Sequence, residues 1–483
     1  MPSKRTSIIL QLLIMALSAS PCHAQGKGGQ VVVSQSGTTY VNQKKIVVGI
    51  YSDDISYKRV TTIIKGKGRV QEVVRDCGAI AAIRLNGDEQ AADPRVNNVT
   101  IINRDTIEMH TKAMVEKYRY EIQNAEHPNR PYQYLRFLGM MSEGEGNKLI
   151  NEGVIDIIFD HDPTVDFRVY GFGICGNANS AFINRGQIRF LGKGTPLTRM
   201  RGMGSMADNV TFLNEGTISV DVDMSEDARM ITTGGDYNDI INNGMMVGCT
   251  SGTLIGMTRY GNSHISNNGT IALTVTKMPV GYKTILANTE KFACGLMEML
   301  NAKRTIIPPM NNRGTITIDF NDIGDPAWMG YGMYFGMVSP CDANVTINNL
   351  GNIRLLQSGA VAYRMAEAGF INRTGKDAAT HITVGKWQTT FRDFGTTKDL
   401  FIGNHVSMDF GKADFQLETP QGYARRTSYS VAPSALLYNT DPSTTNEYVG
   451  YGNASYTAAS SGWQVSVDAT SQTLLLDNKQ DYR

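Results

Sequence analysis

The sequence lacks an excess of charge of either sign. Its 483 residues contain 46 lysines and arginines against 45 aspartates and glutamates, a formal net charge of +1. Nucleic acids and anionic membranes attract proteins through a basic excess, because affinity comes from neutralising phosphates and releasing their counterions. We therefore expect no nucleic acid among the partners of this chain.

Cysteine and histidine are scarce, with 6 and 7 residues respectively. Five cysteines follow the N-terminal segment of residues 1–24, and an odd number cannot all pair within one chain. The histidines beyond that segment stand at no metal-ligand spacing from a cysteine or from one another. We predict neither a disulfide scaffold nor a zinc site, and we assign no catalytic or cofactor-binding residue.

Long apolar runs are missing except at the N-terminus. Residues 8–19 form an apolar stretch that follows Lys4 and Arg5 and precedes a small-residue cleavage sequence ending at Ala24. This arrangement is typical of a secretory signal peptide, and no later run approaches the roughly 18 apolar residues of a transmembrane helix. Removing residues 1–24 leaves 44 basic against 45 acidic residues. We expect a secreted chain without a membrane-spanning helix.

An Asn-x-Gly motif recurs along the sequence with variable spacing. Its copies begin at Asn151, Asn184, Asn214, Asn242, Asn267, Asn312 and Asn349, and Asn103-Arg104-Asp105 is a variant at the head of the series. A constant motif at irregular intervals indicates one structural unit joined by loops of different lengths.

Apolar residues occupy fixed positions around each motif. They stand two residues before the asparagine and four and six residues after it. Gly248, six residues after Asn242, is the one exception. Period-two apolar spacing on both sides of a bend predicts two short strands, each with one face buried. A Gly-apolar pair upstream, as in Gly139-Met140 or Gly202-Met203, predicts a third strand.

The asparagine corner suggests how the repeats stack. Asparagine and glycine both tolerate a left-handed backbone, and stacked asparagine amides form hydrogen-bonded ladders. Outward charges should alternate in sign between neighbouring repeats about 4.8 Å apart. Three columns show this alternation: Arg104, Glu152, Arg185 and Glu215; Asp156 and Arg189; Asp160, Lys193 and Asp223.

These patterns predict an all-β parallel β-helix solenoid, and the general preference of parallel crossovers favours a right-handed one. We divide the chain into a signal peptide (1–24), an N-terminal cap (25–59), β-helix repeats (60–385), and terminal rungs with an irregular C-terminal cap (386–483). Residues 111–137 interrupt the repeats. Their Met114, Tyr118 and Ile122, four apart, predict a projecting amphipathic helix. This excursion is either a binding surface or a lid over one side of the rod.

The unit Val210 to Val220, VTFLNEGTISV, resembles the N-x-G-T-I repeats in β-helical passenger domains of bacterial autotransporters and related surface adhesins. The resemblance covers the repeat region and consists of packing residues. It implies a secreted or surface-exposed, adhesin-like binding or structural scaffold of a Gram-negative bacterium. A host or bacterial surface glycan or protein would be its partner.

An enzyme on the same scaffold, a polysaccharide lyase or a glycoside hydrolase, is the alternative. Such enzymes gather carboxylates on one face for acid–base work or for calcium. Three acidic groups are candidates: Asp156, Asp160, Asp162 and Asp166; Asp221 and Asp223; Asp319, Asp322 and Asp325. They lie on different repeats, so we interpret them as solvated loop acids. The first group is also a candidate calcium site, the one cofactor that the sequence suggests.

Overall fold

The computed structural model of this chain is a parallel β-helix. It describes residues 30–50, 95–123, 134–165, 167–195, 197–260, 262–277 and 308–321 continuously, and elsewhere the strands whose bounds follow. Each repeat contributes one strand to each of three sheets, which we call A, B and C in the order in which the chain enters them.

Sheet A contains fifteen strands. They are β1 (His23–Gln25), β2 (Val31–Val33), β5 (Tyr57–Gly66), β6 (Arg69–Leu85), β9 (Tyr134–Ser142), β12 (Arg168–Cys175), β15 (Thr198–Ser205), β18 (Asp227–Thr233), β21 (Thr253–Arg259), β24 (Phe292–Leu300), β27 (Met329–Met337), β30 (Arg364–Ala368), β31 (Phe370–Ile371), β34 (Asp399–Ile402) and β38 (Leu437–Tyr438).

Sheet B contains nine strands, and all but the first end on an asparagine of the predicted series. They are β3 (Thr39–Asn42), β7 (Thr100–Asn103), β10 (Lys148–Asn151), β13 (Ala181–Asn184), β16 (Thr211–Asn214), β19 (Asp239–Asn242), β22 (His264–Asn267), β25 (Met310–Asn312) and β28 (Ile347–Asn349).

Sheet C contains ten strands that follow the asparagine corner. They are β4 (Ile46–Val48), β8 (Thr106–His110), β11 (Val154–Phe159), β14 (Gln187–Gly194), β17 (Thr217–Met224), β20 (Met245–Thr250), β23 (Thr270–Thr276), β26 (Thr315–Asn321), β29 (Asn352–Ser358) and β33 (Gln388–Phe391).

Smaller sheets occupy the C-terminal part of the chain. Parallel pairing joins β32 (Thr380–Thr383), β35 (Val406–Asp409) and β39 (Val449–Tyr451), and also β36 (Asp414–Leu417) with β40 (Ser455–Ala458). An antiparallel sheet joins β37 (Ser428–Val431), β41 (Trp463–Asp468) and β42 (Thr473–Asn478). The last two of these strands pair with each other along their whole length.

The rung asparagines form the predicted amide ladder. Each Nδ2 donates to the Oδ1 of the asparagine in the next rung. The rung asparagines from Asn103 to Asn312 are fully buried. Seven such bonds, 2.7 to 2.9 Å long, connect Asn42, Asn103, Asn151, Asn184, Asn214, Asn242, Asn267 and Asn312. Asn42 heads this ladder although the sequence pattern missed it, because Lys44 stands where later repeats have a glycine.

The corner glycines are required by close stacking and not by a left-handed backbone. A Cβ on Gly186 would lie 1.9 Å from the carbonyl oxygen of Gly153, and one on Gly216 would lie 2.1 Å from that of Gly186. Among the described non-glycine residues, positive φ angles occur instead five residues before the rung asparagine, at Asn98, Asn179, Asn209 and Tyr237. The left-handed explanation of the Asn-x-Gly corner was therefore wrong.

Two of the three predicted charge columns form ion pairs. Arg185 lies between Glu152 and Glu215, at 3.7 and 2.8 Å, and Arg189 binds Asp156 through two bonds of 2.6 Å. The third column does not, because β11 ends before Asp160, which turns toward His110.

Helix α1 (Lys112–Gln123) lies at the predicted excursion. Met114, Val115 and Tyr118 are buried, and the ring of Tyr118 meets that of Phe167 edge-on with centroids 5.0 Å apart. These apolar contacts dock the helix on the solenoid, so the prediction that it projects was wrong. No helix in the described part of the chain has the length and apolarity needed to span a bilayer.

Candidate binding surface

Of the predicted calcium ligands, the three described carboxylates are bound to protein groups. Asp156 is held by Arg189, and Asp162 accepts from Arg119 at 3.1 Å and from the backbone and hydroxyl of Thr164 at 2.8 Å. Asp166 lies outside the described residues. In the described part of the chain, no group of three His, Cys, Asp or Glu side chains is placed to hold a metal ion.

Asp160 caps helix α1 from the neighbouring rung. Its Oδ1 accepts from the backbone N–H groups of Thr111 and Lys112, at 3.0 and 2.8 Å. Its Oδ2 lies 2.9 Å from Nδ1 of His110, whose Nε2 lies 2.8 Å from Glu108. Burial alone lowers the pKa of His110, but these two carboxylates outweigh it and raise the pKa above 6.5.

The other acidic groups do not join this cluster. Asp221 and Asp223 are exposed on the outer face of β17, and Asp319 lies in β26. Asp322 and Asp325 fall outside the described residues. The acids that the sequence singled out are thus spread over the solenoid as far as the structure describes them.

A different cluster, rich in arginine, lies on the outer face of sheet A. Glu226 is 3% exposed and accepts from two guanidinium groups, with Arg168 at 3.1 Å and Arg199 at 2.5 Å. Both arginines reach it with two nitrogens each. Burial alone raises the pKa of Glu226, but the two arginines bring it below its ordinary value.

Asp227, the next residue, holds the second pair of arginines. It binds Arg201 at 2.6 Å and Arg229 at 3.1 Å. Although burial opposes ionisation, these arginines hold the pKa of Asp227 far below its usual range. Arg229 also donates to the hydroxyl of Tyr260 at 3.2 Å. Four arginines therefore surround two carboxylates, which leaves an excess of two positive charges.

Two aromatic rings lie beside these arginines. Tyr170 lies directly beside Arg199, and Phe172 beside Arg201, on the adjacent strands β12 and β15. The two rings are stacked with centroids 6.3 Å apart, and the guanidinium carbon of Arg199 lies 5.6 Å from the centroid of Tyr170. We call the residues Arg168, Tyr170, Phe172, Arg199, Arg201 and Arg229, with Glu226 and Asp227, the basic–aromatic face.

The basic–aromatic face is preorganised for an anionic ligand. The arginines hold their positions through the two carboxylates, and Arg168 and Arg199 remain 33% and 27% exposed. Guanidinium groups bind carboxylate or sulfate oxygens through paired hydrogen bonds, and aromatic rings offer a flat apolar surface to a sugar ring. This combination suits an acidic carbohydrate chain laid across the strands.

The sequence contained a pattern that could have revealed this face. The alignment on the Gly-apolar pair places Tyr170 and Arg199 three residues before the glycine, and Phe172 and Arg201 one residue before it. These positions alternate with apolar ones, so they face outward on neighbouring strands. Carboxylate groups in the sequence do not point to these positions, because the charge of the face lies mainly on arginines.

A comparison with protein families relates the chain to other β-helix proteins. Residues 14–234 match the family model described as the BigA third pectate lyase-like domain. No curated protein and no solved structure matches the chain. The matched range is slightly less than half of the chain and contains the whole basic–aromatic face. Over this range the chain is similar to a pectate lyase-like β-helix domain.

Proposed function

We propose that this protein is a secreted, surface-exposed bacterial β-helix of the adhesin type, which binds an acidic glycan on its basic–aromatic face without cleaving it. The observation that carries this proposal is the surplus of arginines over carboxylates on that face, beside the stacked rings of Tyr170 and Phe172. The autotransporter-like repeats and the apolar N-terminal segment with its cleavage sequence support a location outside the cell.

The two carboxylates of the face argue for binding and against hydrolysis. A glycoside hydrolase needs a carboxylic acid whose raised pKa keeps it protonated until it reaches the glycosidic oxygen. Glu226 and Asp227 are each held by two arginines, and the pKa of each is lowered. Both carboxylates therefore stay ionised and serve to position the arginines.

The proposal is tested with immobilised polysaccharides of different charge. Polygalacturonate, hyaluronate and heparin are compared with neutral dextran, with and without calcium, and both retention of the protein and product mass are scored. We expect retention on at least one acidic polysaccharide, weakened by salt because surface ion pairs are screened. Equal retention on dextran would contradict the proposal, and shortened or unsaturated products would identify a hydrolase or a lyase instead.

A double variant ties retention to the face. Arg199→Gln with Arg229→Gln should weaken binding about tenfold or more, since hydrogen bonds to charged groups contribute about 1.5–3 kcal/mol each. Arg104→Gln with Arg185→Gln, on the exposed corner, removes the same charge elsewhere and should leave binding unchanged. Melting curves of both variants confirm folding. Equal binding by both variants would move the ligand away from the basic–aromatic face.

A further inference from the structure

Strands β5 and β6 form a long antiparallel hairpin at the N-terminal edge of sheet A. Their register contains ten residue pairs, from Tyr57–Gly78 to Gly66–Arg69. Strand β6 pairs with β9 only from Cys77 onward and with β2 only from Ile83 onward. Residues 59–66 and 69–76 therefore form a two-stranded arm of about 27 Å that extends beyond the sheet pairing of the solenoid.

The arm has open strand edges. Within the described part of the chain, β6 is the sole strand partner of β5, so the other edge of β5 presents backbone N–H and C=O groups without a ladder. A two-stranded ribbon alone is marginally stable in water, and such an edge is a template for a further strand. The sequence of β5 is rich in strand-forming residues and contains neither proline nor an internal glycine.

The charge of β5 selects the kind of strand that can pair with it. Its sequence contains Lys58, Arg59 and Lys65 and no acidic residue. A second copy of the same strand would bring like charges together, and edge lysines are a known means of preventing such self-pairing. An acidic strand gains both the backbone ladder and the attraction between opposite charges.

We propose that the β5 edge of this arm is a docking site for an extended acidic segment of a partner protein, which adds a strand to sheet A. The site is separate from the basic–aromatic face, and its occupant is recognised through its backbone as well as its charge. Binding of an acidic glycan elsewhere neither requires nor excludes it.

The experiment uses the full chain and a labelled peptide of alternating glutamate and valine. The peptide should bind and should slow amide hydrogen exchange in residues 59–66, because a new ladder protects those amides. The same peptide with alternate backbone nitrogens methylated keeps its charge but loses donors, so it should bind about tenfold more weakly or worse. Equal binding of the methylated peptide would overturn the proposal.

Variants and a second probe separate the other occupants. Lys58→Glu with Lys65→Glu should abolish peptide binding, whereas Lys148→Glu with Lys193→Glu, exposed lysines on the solenoid, should not. Dextran sulfate carries charge without a peptide backbone, so equal protection of residues 59–66 by it would reduce the site to a polyanion contact. Protection that grows with protein concentration alone would identify a second copy as the occupant. If the charge-reversed variant does not fold, the comparison of the methylated with the unmethylated peptide still tests the proposal on the unmodified chain.

Discussion

Met230 fills the space that Gly248 leaves in the core of the same rung. A Cβ on Gly248 would lie 2.9 Å from the terminal methyl of Met230 and 2.8 Å from both methyls of Leu254. In neighbouring rungs the sizes are reversed: Gly202 stands on sheet A at the position of Met230, and Val220 stands on sheet C at the position of Gly248. The large and the small core residue therefore exchange places between the two rungs.

This exchange predicts the stability of paired substitutions. Gly248→Val alone should overpack the rung and lower stability by about 1–3 kcal/mol, and Met230→Gly alone should leave a cavity costing about 2–5 kcal/mol. Combining them reproduces the arrangement of the neighbouring rung, so the double variant should melt above both single variants. Thermal unfolding followed by circular dichroism measures this. Purely additive losses would show that the two positions do not share one space.

The asparagine ladder predicts a difference between buried and exposed amides. Asn184→Ala removes two ladder bonds, to Asn151 and Asn214, and leaves buried polar groups without partners. The loss should be about 1–3 kcal/mol. Asn243→Ala is the matched control, because Asn243 is exposed and its side chain accepts a bond from Asn268 in an outer row. Equal melting temperatures for the two variants would contradict a stabilising role of the ladder.

His110 predicts a pH dependence of the excursion. Its raised pKa means that the charged imidazole stabilises the fold fully below pH 6.5, and that this contribution is lost as the pH rises through the folded-state value. The melting temperature should therefore fall between pH 6 and pH 8.5 by more in the unmodified chain than in His110→Gln. Protection of helix α1 from hydrogen exchange should fall in parallel, because Asp160 both binds His110 and caps the helix.

An identical pH dependence in His110→Gln would assign the change to other groups. The titratable and charged groups around His110 are Lys45, Glu108, Asp160, His161 and Lys112. His161 is buried, and burial lowers its pKa to about 4, so it stays neutral across this range. Asp160→Ala removes the cap itself and should destabilise the helix at every pH.

Arg259 and Glu298 form an ion pair with no exposed surface, and Arg259 also donates to the carbonyl of Ser263 at 2.7 Å. Glu298→Gln or Arg259→Met alone leaves one charge buried without its partner and should cost about 3–5 kcal/mol. Arg259→Met with Glu298→Leu removes both charges and should recover most of that loss. Chemical unfolding of the three variants gives the coupling energy, and a double variant as unstable as the sum of the singles would contradict the pairing.

The repeat pattern was sufficient to predict the solenoid. An asparagine and flanking apolar residues, as in Phe182, Asn184 and Ile188, recur at fixed offsets, and their periodicity of two about a corner admits few folds other than stacked rungs. The ladder and the outward ion pairs of Arg185 and Arg189 could be predicted for the same reason, since a repeated unit meets its own equivalent at a known spacing.

Features that depend on contacts between different positions of the rungs could not be predicted from the repeat pattern. Gly248 is explained by the side chain of Met230, which occupies the space beside it. Asp160 leaves its expected column because β11 ends before it, and its carboxylate caps a helix from another rung. The basic–aromatic face joins residues of three repeats, and its composition changes at the neighbouring strands, where Leu138 stands beside Phe172 and Ile255 beside Arg229. A repeat pattern fixes what all rungs share, whereas the candidate site consists of what one group of rungs does differently.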